Sequence, residues 1–170
     1  MDSESHSSFF GASRVGLIAT LLILFGIGLA IRLYDVTDLP LDFNPTRQLL
    51  SELKARGMYY QTAGGVPEWQ RKMAIQQWKS KAEVEPEVFE QLVALTYRAT
   101  GVHIWVARVY SSLFWLLGAL FLYLLLQELV STDGAVLSTA YFLFLPYAVV
   151  ASRSFQPDIL MMLLVICFWW

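Results

Sequence analysis

Two short acidic segments carry the side chains in this sequence best suited to chemistry. The run from Arg32 to Pro45 sets Asp35, Asp38 and Asp42 between Arg32 and Arg47, and the run from Ala151 to Leu160 sets Arg153 five residues before Asp158. Carboxylates grouped beside arginines can act as a general base or hold a cation. A purely structural reading stands beside each. Asp, Asn and Pro are ordinary turn and cap residues, and Asp42, two places before Asn44, can simply organise a loop. Asp158 directly after Pro157 is what the dipole at a helix N-terminus favours without catalysis. Both segments border apolar stretches, where charge is costly and usually tied to function.

Other chemistry has little support. His6 and His103 lack partners at metal-ligand spacing, and no CxxC, HExxH, glycine-rich phosphate loop or serine nucleophile elbow occurs. The single cysteine, Cys167, lies in an apolar run and reads as a small hydrophobe. With 56% hydrophobic and 15% charged residues and a mean hydropathy of +0.51, the 170-residue chain is an integral membrane protein. Its net charge of −2 gives no basic field for nucleic acid.

The elements that must position the acids follow from the apolar runs. Residues 1–14 read as a flexible cytoplasmic tail. A first span covers 15–32; its core, Val15–Ile31, is broken only by Thr20 and gives roughly 26 Å of helix against a hydrocarbon thickness of ~30 Å. A signal peptide cleaved after Ala30 is the rival reading, but the run is at the long end for one. Gly26 and Gly28 suggest close helix packing rather than a dimer motif. Residues 33–102 form a long extracytoplasmic loop. Further spans occupy 103–126 and 135–151, joined by a cytoplasmic turn at 127–134. An extracytoplasmic turn at 152–157 leads into the start of a fourth span at 158–170, too short to cross, which suggests the N-terminal part of a larger protein. The alternative is a complete short helix ended by Trp169 and Trp170. Counting crossings places both acidic segments on one membrane face. Charge does not set the orientation, because the 127–134 turn holds no Lys or Arg.

Within the long loop the pattern predicts three amphipathic helices. Asn44 can cap the first, with Pro45 at its first position, Leu49, Leu50 and Leu53 on one face, and Gly57 closing it. The second runs from about Pro67 to Ala82, with Trp69 and Met73 suited to a headgroup interface. The third carries Val88, Leu92, Leu95 and Ala99 as one apolar stripe before Gly101. Arg108, in the aromatic start of the second span, reads as a snorkelling interface residue. The fold class is therefore all-α, a multi-pass transmembrane helical bundle with a long amphipathic-helical extracytoplasmic loop.

The order of Arg32, Leu39-Pro40-Leu41-Asp42-Phe43-Asn44, Glu85-Pro86, Gly101, Arg108, Ser152-Arg153 and Pro157-Asp158 resembles the GT-C class of membrane glycosyltransferases. It looks most like the branch with dolichyl-phosphate-mannose protein mannosyltransferases and bacterial aminoarabinose transferases. That family carries one acid after the first span, within an Asp-Glu pair following an aromatic, and another near the start of the fourth. Asp158 matches the second. Phe43 is followed here by Asn44-Pro45, which leaves Asp42 as the nearest carboxylate to the first.

The resemblance implies a sugar donor on a polyprenyl phosphate, a hydroxyl acceptor on protein or glycolipid, and an active site on the extracytoplasmic face of the cell membrane. The phosphate leaves as a stable anion, so one base suffices for an inverting displacement, where a glycosidase needs an acid as well. Asp42 is the implied base, and Asp158 orients an arginine or the sugar. Arg47 or Arg153 would pair with the donor phosphate through a charge-assisted contact. Two carboxylates and a phosphate could also hold a divalent cation, but so few oxygens select none, and no metal or cofactor is assigned. A non-catalytic membrane protein or assembly partner, with the acids as caps, is the competing reading. A transporter is disfavoured, since spans one to three carry no ionisable residue near their centres.

Overall fold

The computed structural model describes residues 9–81 and 85–170; the expectations for residues 1–8, His6 among them, and for 82–84 lie outside the described residues. Among the described residues all regular structure is helical, in the order α1 (Arg14–Leu33), α2 (Pro45–Thr62), α3 (Glu68–Lys79), α4 (Val88–Thr100), α5 (Ile104–Leu129), α6 (Thr132–Phe144), α7 (Pro146–Ala151) and α8 (Pro157–Trp169). Two of these, α1 and α5, are long and apolar enough to cross a membrane, and α8 is a shorter apolar helix.

The segment expected as one continuous span at 135–151 is instead two helices. Pro146 has no N–H to donate, and Leu145 turns to an extended conformation (φ −55°, ψ 124°) that ends α6 and starts α7. The break leaves carbonyls without helical partners. Trp115 of α5 donates its indole N–H to Phe142 O at 3.3 Å, and Arg32 of α1 donates to Leu143 O at 2.9 Å. Trp115 also stacks on Phe142, with ring centroids 4.5 Å apart.

Helix α5 is the spine. Its buried side runs through Arg108, Ser111, Ser112, Trp115, Gly118 and Ala119, while Leu113, Leu117 and Leu120 face outward. Small and polar residues inside with leucines outside is the arrangement expected where lipid, not water, is the surrounding solvent. Three apolar clusters stack along this spine. Val106 and Ala107 pack with Ala55, Phe89, Tyr97 and Phe155; Trp115 and Ala119 with Leu143 and Ile159; Tyr123 with Ala135 and Val136. Beside the last cluster, the backbone N–H groups of Phe9 and Phe10 donate to the Asp133 carboxylate at 2.7 and 2.8 Å. Part of the segment expected as a flexible tail is thus fastened to the first turn of α6.

The helices of the long loop depart from the expected faces. In α4 the stripe of Val88, Leu95 and Ala99 points outward, and the buried stripe is Phe89, Val93 and Tyr97. Both faces are apolar, and the rings of Phe89 and Tyr97 bury more surface than the aliphatic side chains opposite. In α2 the buried side is polar, with Gln48, Ser51, Glu52 and Lys54, and Leu49 is exposed. These polar groups are matched across the α2–α4 contact. Ser51 donates to Glu90 at 2.8 Å, Tyr97 donates to Glu52 at 2.7 Å, and Lys54 pairs with Glu87 at 3.0 Å. Asn44 makes no side-chain cap; it takes a left-handed conformation (φ 42°), and its carbonyl accepts from Gln48 N at 3.2 Å.

Gly57 does not end its helix, which continues to Thr62. It is a notch: a Cβ there would lie 2.5 Å from Trp78 Cβ and 3.1 Å from Ala74 O. Gly57→Ala gains helix propensity but forces α2 and α3 apart, an overpacking cost of about 1–3 kcal/mol against a gain of about 0.5–1. The expected outcome is a lower thermal midpoint with faster hydrogen exchange confined to α3.

Burial pushes the Glu52 and Glu90 carboxyls up from their ordinary 4.5, opposed by hydrogen bonds from Tyr97 and Ser51. Burial and the neighbouring Glu52 also push the Tyr97 hydroxyl up. The folded chain then holds these carboxyl protons more tightly than the unfolded chain. Their contribution to stability is complete below about pH 4.5 and is lost as pH rises through the raised values. Glu90→Gln should therefore stabilise the protein relative to the parent at pH 7 by more than at pH 4.5, read as thermal midpoints at the two values.

Candidate functional site

The ends of α1 and α7 and the starts of α2, α5 and α8 meet at one end of the molecule, joined by the loop 34–44 and the turn 152–157. Neither connection is helical, so side chains from the helices satisfy its backbone. Arg108, on the first turns of α5, donates to Asp35 O at 3.1 Å and Asp38 O at 3.0 Å, and pairs with Asp42 Oδ2 at 2.9 Å. Its side chain is 3% exposed. The expected snorkelling arginine is therefore an internal clamp on the loop.

Gln48 holds loop and turn together. Its amide nitrogen donates to Phe43 O and its amide oxygen accepts from Phe155 N at 3.1 Å. The turn is further fixed by Arg32, donating to Ser152 Oγ at 2.7 Å, and by Ser111, donating to Ser154 O at 2.6 Å. Arg153 donates back to Tyr34 O at the end of α1. The two acidic segments of the sequence are thus one hydrogen-bonded frame.

Within that frame the expected site residues fall into two ion-paired groups. Asp42 is with Arg108 and Arg153 in an open depression of about 430 Å³, which Asp35 and Asp38 also line. Asp158, in the first turn of α8, pairs with Arg47 Nη1 at 3.2 Å, and Arg47 Nη2 pairs with Glu85 at 2.7 Å. Asp158 and Glu85 stand at the polar end of a groove of about 400 Å³ whose walls, including Phe89, Leu160, Met161 and Leu164, are apolar. Asp42 and Asp158 are 35% and 49% exposed at their side chains, open enough to meet a ligand. Among the described residues no three of His, Cys, Asp or Glu converge to hold a metal ion.

Sequence reasoning missed the role of Gln48 and placed Arg108 at the membrane surface. Gln48 carries a signal only in hindsight, three residues after Pro45 on the side of α2 opposite the leucines; hydropathy assigns that side outward. His103, beside Gly101, makes no cap bond and stacks on Trp105 with centroids 6.0 Å apart.

Residues 84–170, just over half of the chain, match the family model of dolichyl-phosphate-mannose-protein mannosyltransferases. The matched range includes Arg108, Arg153 and Asp158 and begins after Asp42 and Arg47. No curated protein and no solved structure matches the chain at a significant level. By that match, and with apolar helices carrying the Arg108, Arg153 and Asp158 end just described, the chain belongs to the dolichyl-phosphate-mannose-protein mannosyltransferase family, membrane glycosyltransferases of the GT-C type.

Proposed function

We propose that this end of the bundle transfers a sugar from a polyprenyl-phosphate donor to a hydroxyl acceptor, with inversion at the anomeric carbon, on the extracytoplasmic face of a cell membrane that the chain crosses several times. The observation that carries the reading is the pairing of a polar depression at Asp42 with an apolar groove that begins at Asp158 and Glu85, the two carboxylates that hold Arg47. The groove suits an isoprenoid chain lying along α8, with its phosphate at the mouth. Arg47 there can exchange a carboxylate for the phosphate and take up the charge that builds on the leaving oxygen. Arg153, in the depression beside Arg108, is a further cation within the site.

Asp42 then serves as base. Its Oδ2 is held by Arg108, which fixes the plane of the carboxylate, and its Oδ1 has no protein hydrogen bond among the described residues. Oδ1 accepts the proton of the acceptor hydroxyl as that oxygen forms its bond to the anomeric carbon. The bond from that carbon to the phosphate oxygen breaks on the opposite face, and the electron pair leaves with the phosphate, which needs no proton. Asp158 keeps Arg47 at the mouth of the groove.

A non-catalytic membrane protein is the second reading, favoured by one observation: a buried arginine holding Asp42 and two loop carbonyls is also what a structural lock would look like. Transfer assays separate the two. In full-length protein reconstituted in proteoliposomes with short-chain polyprenyl-phosphate sugars and assayed below the variant's thermal midpoint, which should fall because buried Arg108 loses its counter-charge, Asp42→Asn should lower kcat by about 10²–10⁴. Arg47→Ala should act mainly by raising the donor KM. Full turnover in Asp42→Asn removes the base assignment; no transfer from any donor by the parent protein favours the structural lock.

Topology is tested separately. In a Cys167→Ser background, Leu39→Cys in the first loop and Leu129→Cys at the far end of α5 replace exposed leucines. A membrane-impermeant maleimide added to intact cells should label the first and not the second. Labelling of both would break the crossing count.

A further inference from the structure

Away from both ion-paired groups, α2 and α3 enclose a pocket of about 210 Å³ with no part in the transfer step described above. Its wall includes Glu52, which is 7% exposed; Oε2 accepts from Tyr97 at 2.7 Å, and Oε1 is buried with no protein partner. Around it stand Arg56 and Gln77, both exposed and with no side-chain hydrogen bond among the described residues. Gln70 donates its amide nitrogen to Tyr60 at 3.0 Å, which orders both side chains, and Met73 adds an apolar surface.

We infer that this pocket binds a single sugar ring of the hydroxyl acceptor. Its volume falls below the roughly 300–1,000 Å³ of drug-sized ligand sites, which suits one ring and not an extended peptide. The charges of Glu52 and Arg56 oppose each other, so the lining favours a neutral ligand over an ion. Neighbouring ring hydroxyls both donate and accept. One can donate to the Glu52 carboxylate while the next accepts from Arg56 or Gln77, and Tyr60 and Met73 can cover the C–H face. Helix α2 leads from Arg47 to Glu52 in five residues, about 7.5 Å of axis, so a ring held here can belong to a molecule that reaches the transfer site. Assigning the ring to the acceptor rests on the transferase reading; the binding of a ring does not.

The test uses the full-length protein in detergent micelles and three probes, methyl α-mannoside, methyl β-glucoside and methyl β-galactoside, followed by saturation-transfer NMR. Saturable binding of at least one is expected. Arg56→Ala and Gln77→Ala, both surface changes that leave the helices intact, should each weaken it about tenfold, the loss of one strong hydrogen bond. Glu52→Gln should do the same, with its thermal midpoint as the control for folding. No saturable binding of any probe, affinity unchanged in the two surface variants, or a preference for ethylammonium over the glycosides would overturn the site. Transfer activity without ring binding overturns this subsite and leaves the transferase reading standing. Ring binding without transfer from any donor supports the subsite and removes that reading.

Discussion

Arg32 is fully buried at the end of a helix apolar enough to cross a membrane, and its guanidinium meets three neutral oxygens: Gly28 O and Leu143 O at 2.9 Å, and Ser152 Oγ at 2.7 Å. The Trp115 ring lies 5.8 Å away. Removing a cation from water costs several kcal/mol unless it is well hydrogen-bonded, so this set of acceptors must exist for the chain to fold as it does. One acceptor exists because Pro146 interrupts the helix and leaves Leu143 O without an intrahelical donor. Another exists because α7 ends one residue before Ser152. The proline break, the short α7 and the buried arginine are therefore one device, and it fixes α1 against the turn that leads to Asp158.

The same constraint governs the rest of that end. A buried loop and turn lose the water that would pair their backbone N–H and C=O groups and need partners from the protein instead. Arg108, Gln48 and Ser111 replace that water from within, each reaching from a helix to a loop carbonyl or N–H. The result is a rigid floor under two half-exposed acids. Above it, α2 turns a polar side inward and pairs it with α4, so this layer has a hydrogen-bonded interior where the packing around α5 is apolar.

How far the sequence could be read follows from this. The apolar runs of α1, α5 and α8 and the two acidic connections were legible, because length and hydropathy respond directly to lipid. Faces were harder. Periodicity finds an apolar stripe but cannot choose between two, and in α4 the aromatic side is buried and the aliphatic one exposed. Nor does it register a buried polar side, so the inward turn of Gln48, Ser51 and Glu52 left no mark. Gly57 reads as a stop in a string of residues and is a contact in three dimensions, because Trp78, which it accommodates, is twenty-one residues away.

The two ion-paired groups also differ in how easily they can change partners. Arg47 and its carboxylates are half exposed, and pairs of that kind contribute only about 0–1 kcal/mol, screened by water and salt. Exchanging Glu85 or Asp158 for a phosphate therefore costs little, and the gain is a bidentate contact to an anion. Arg108 is buried, and separating it from Asp42 would leave a desolvated cation holding only carbonyls. Asp42 is thus the fixed member of the site and Arg47 the movable one. That division suits the proposed transfer, in which the base must be in place before the acceptor arrives and the phosphate-binding group must let each spent carrier go.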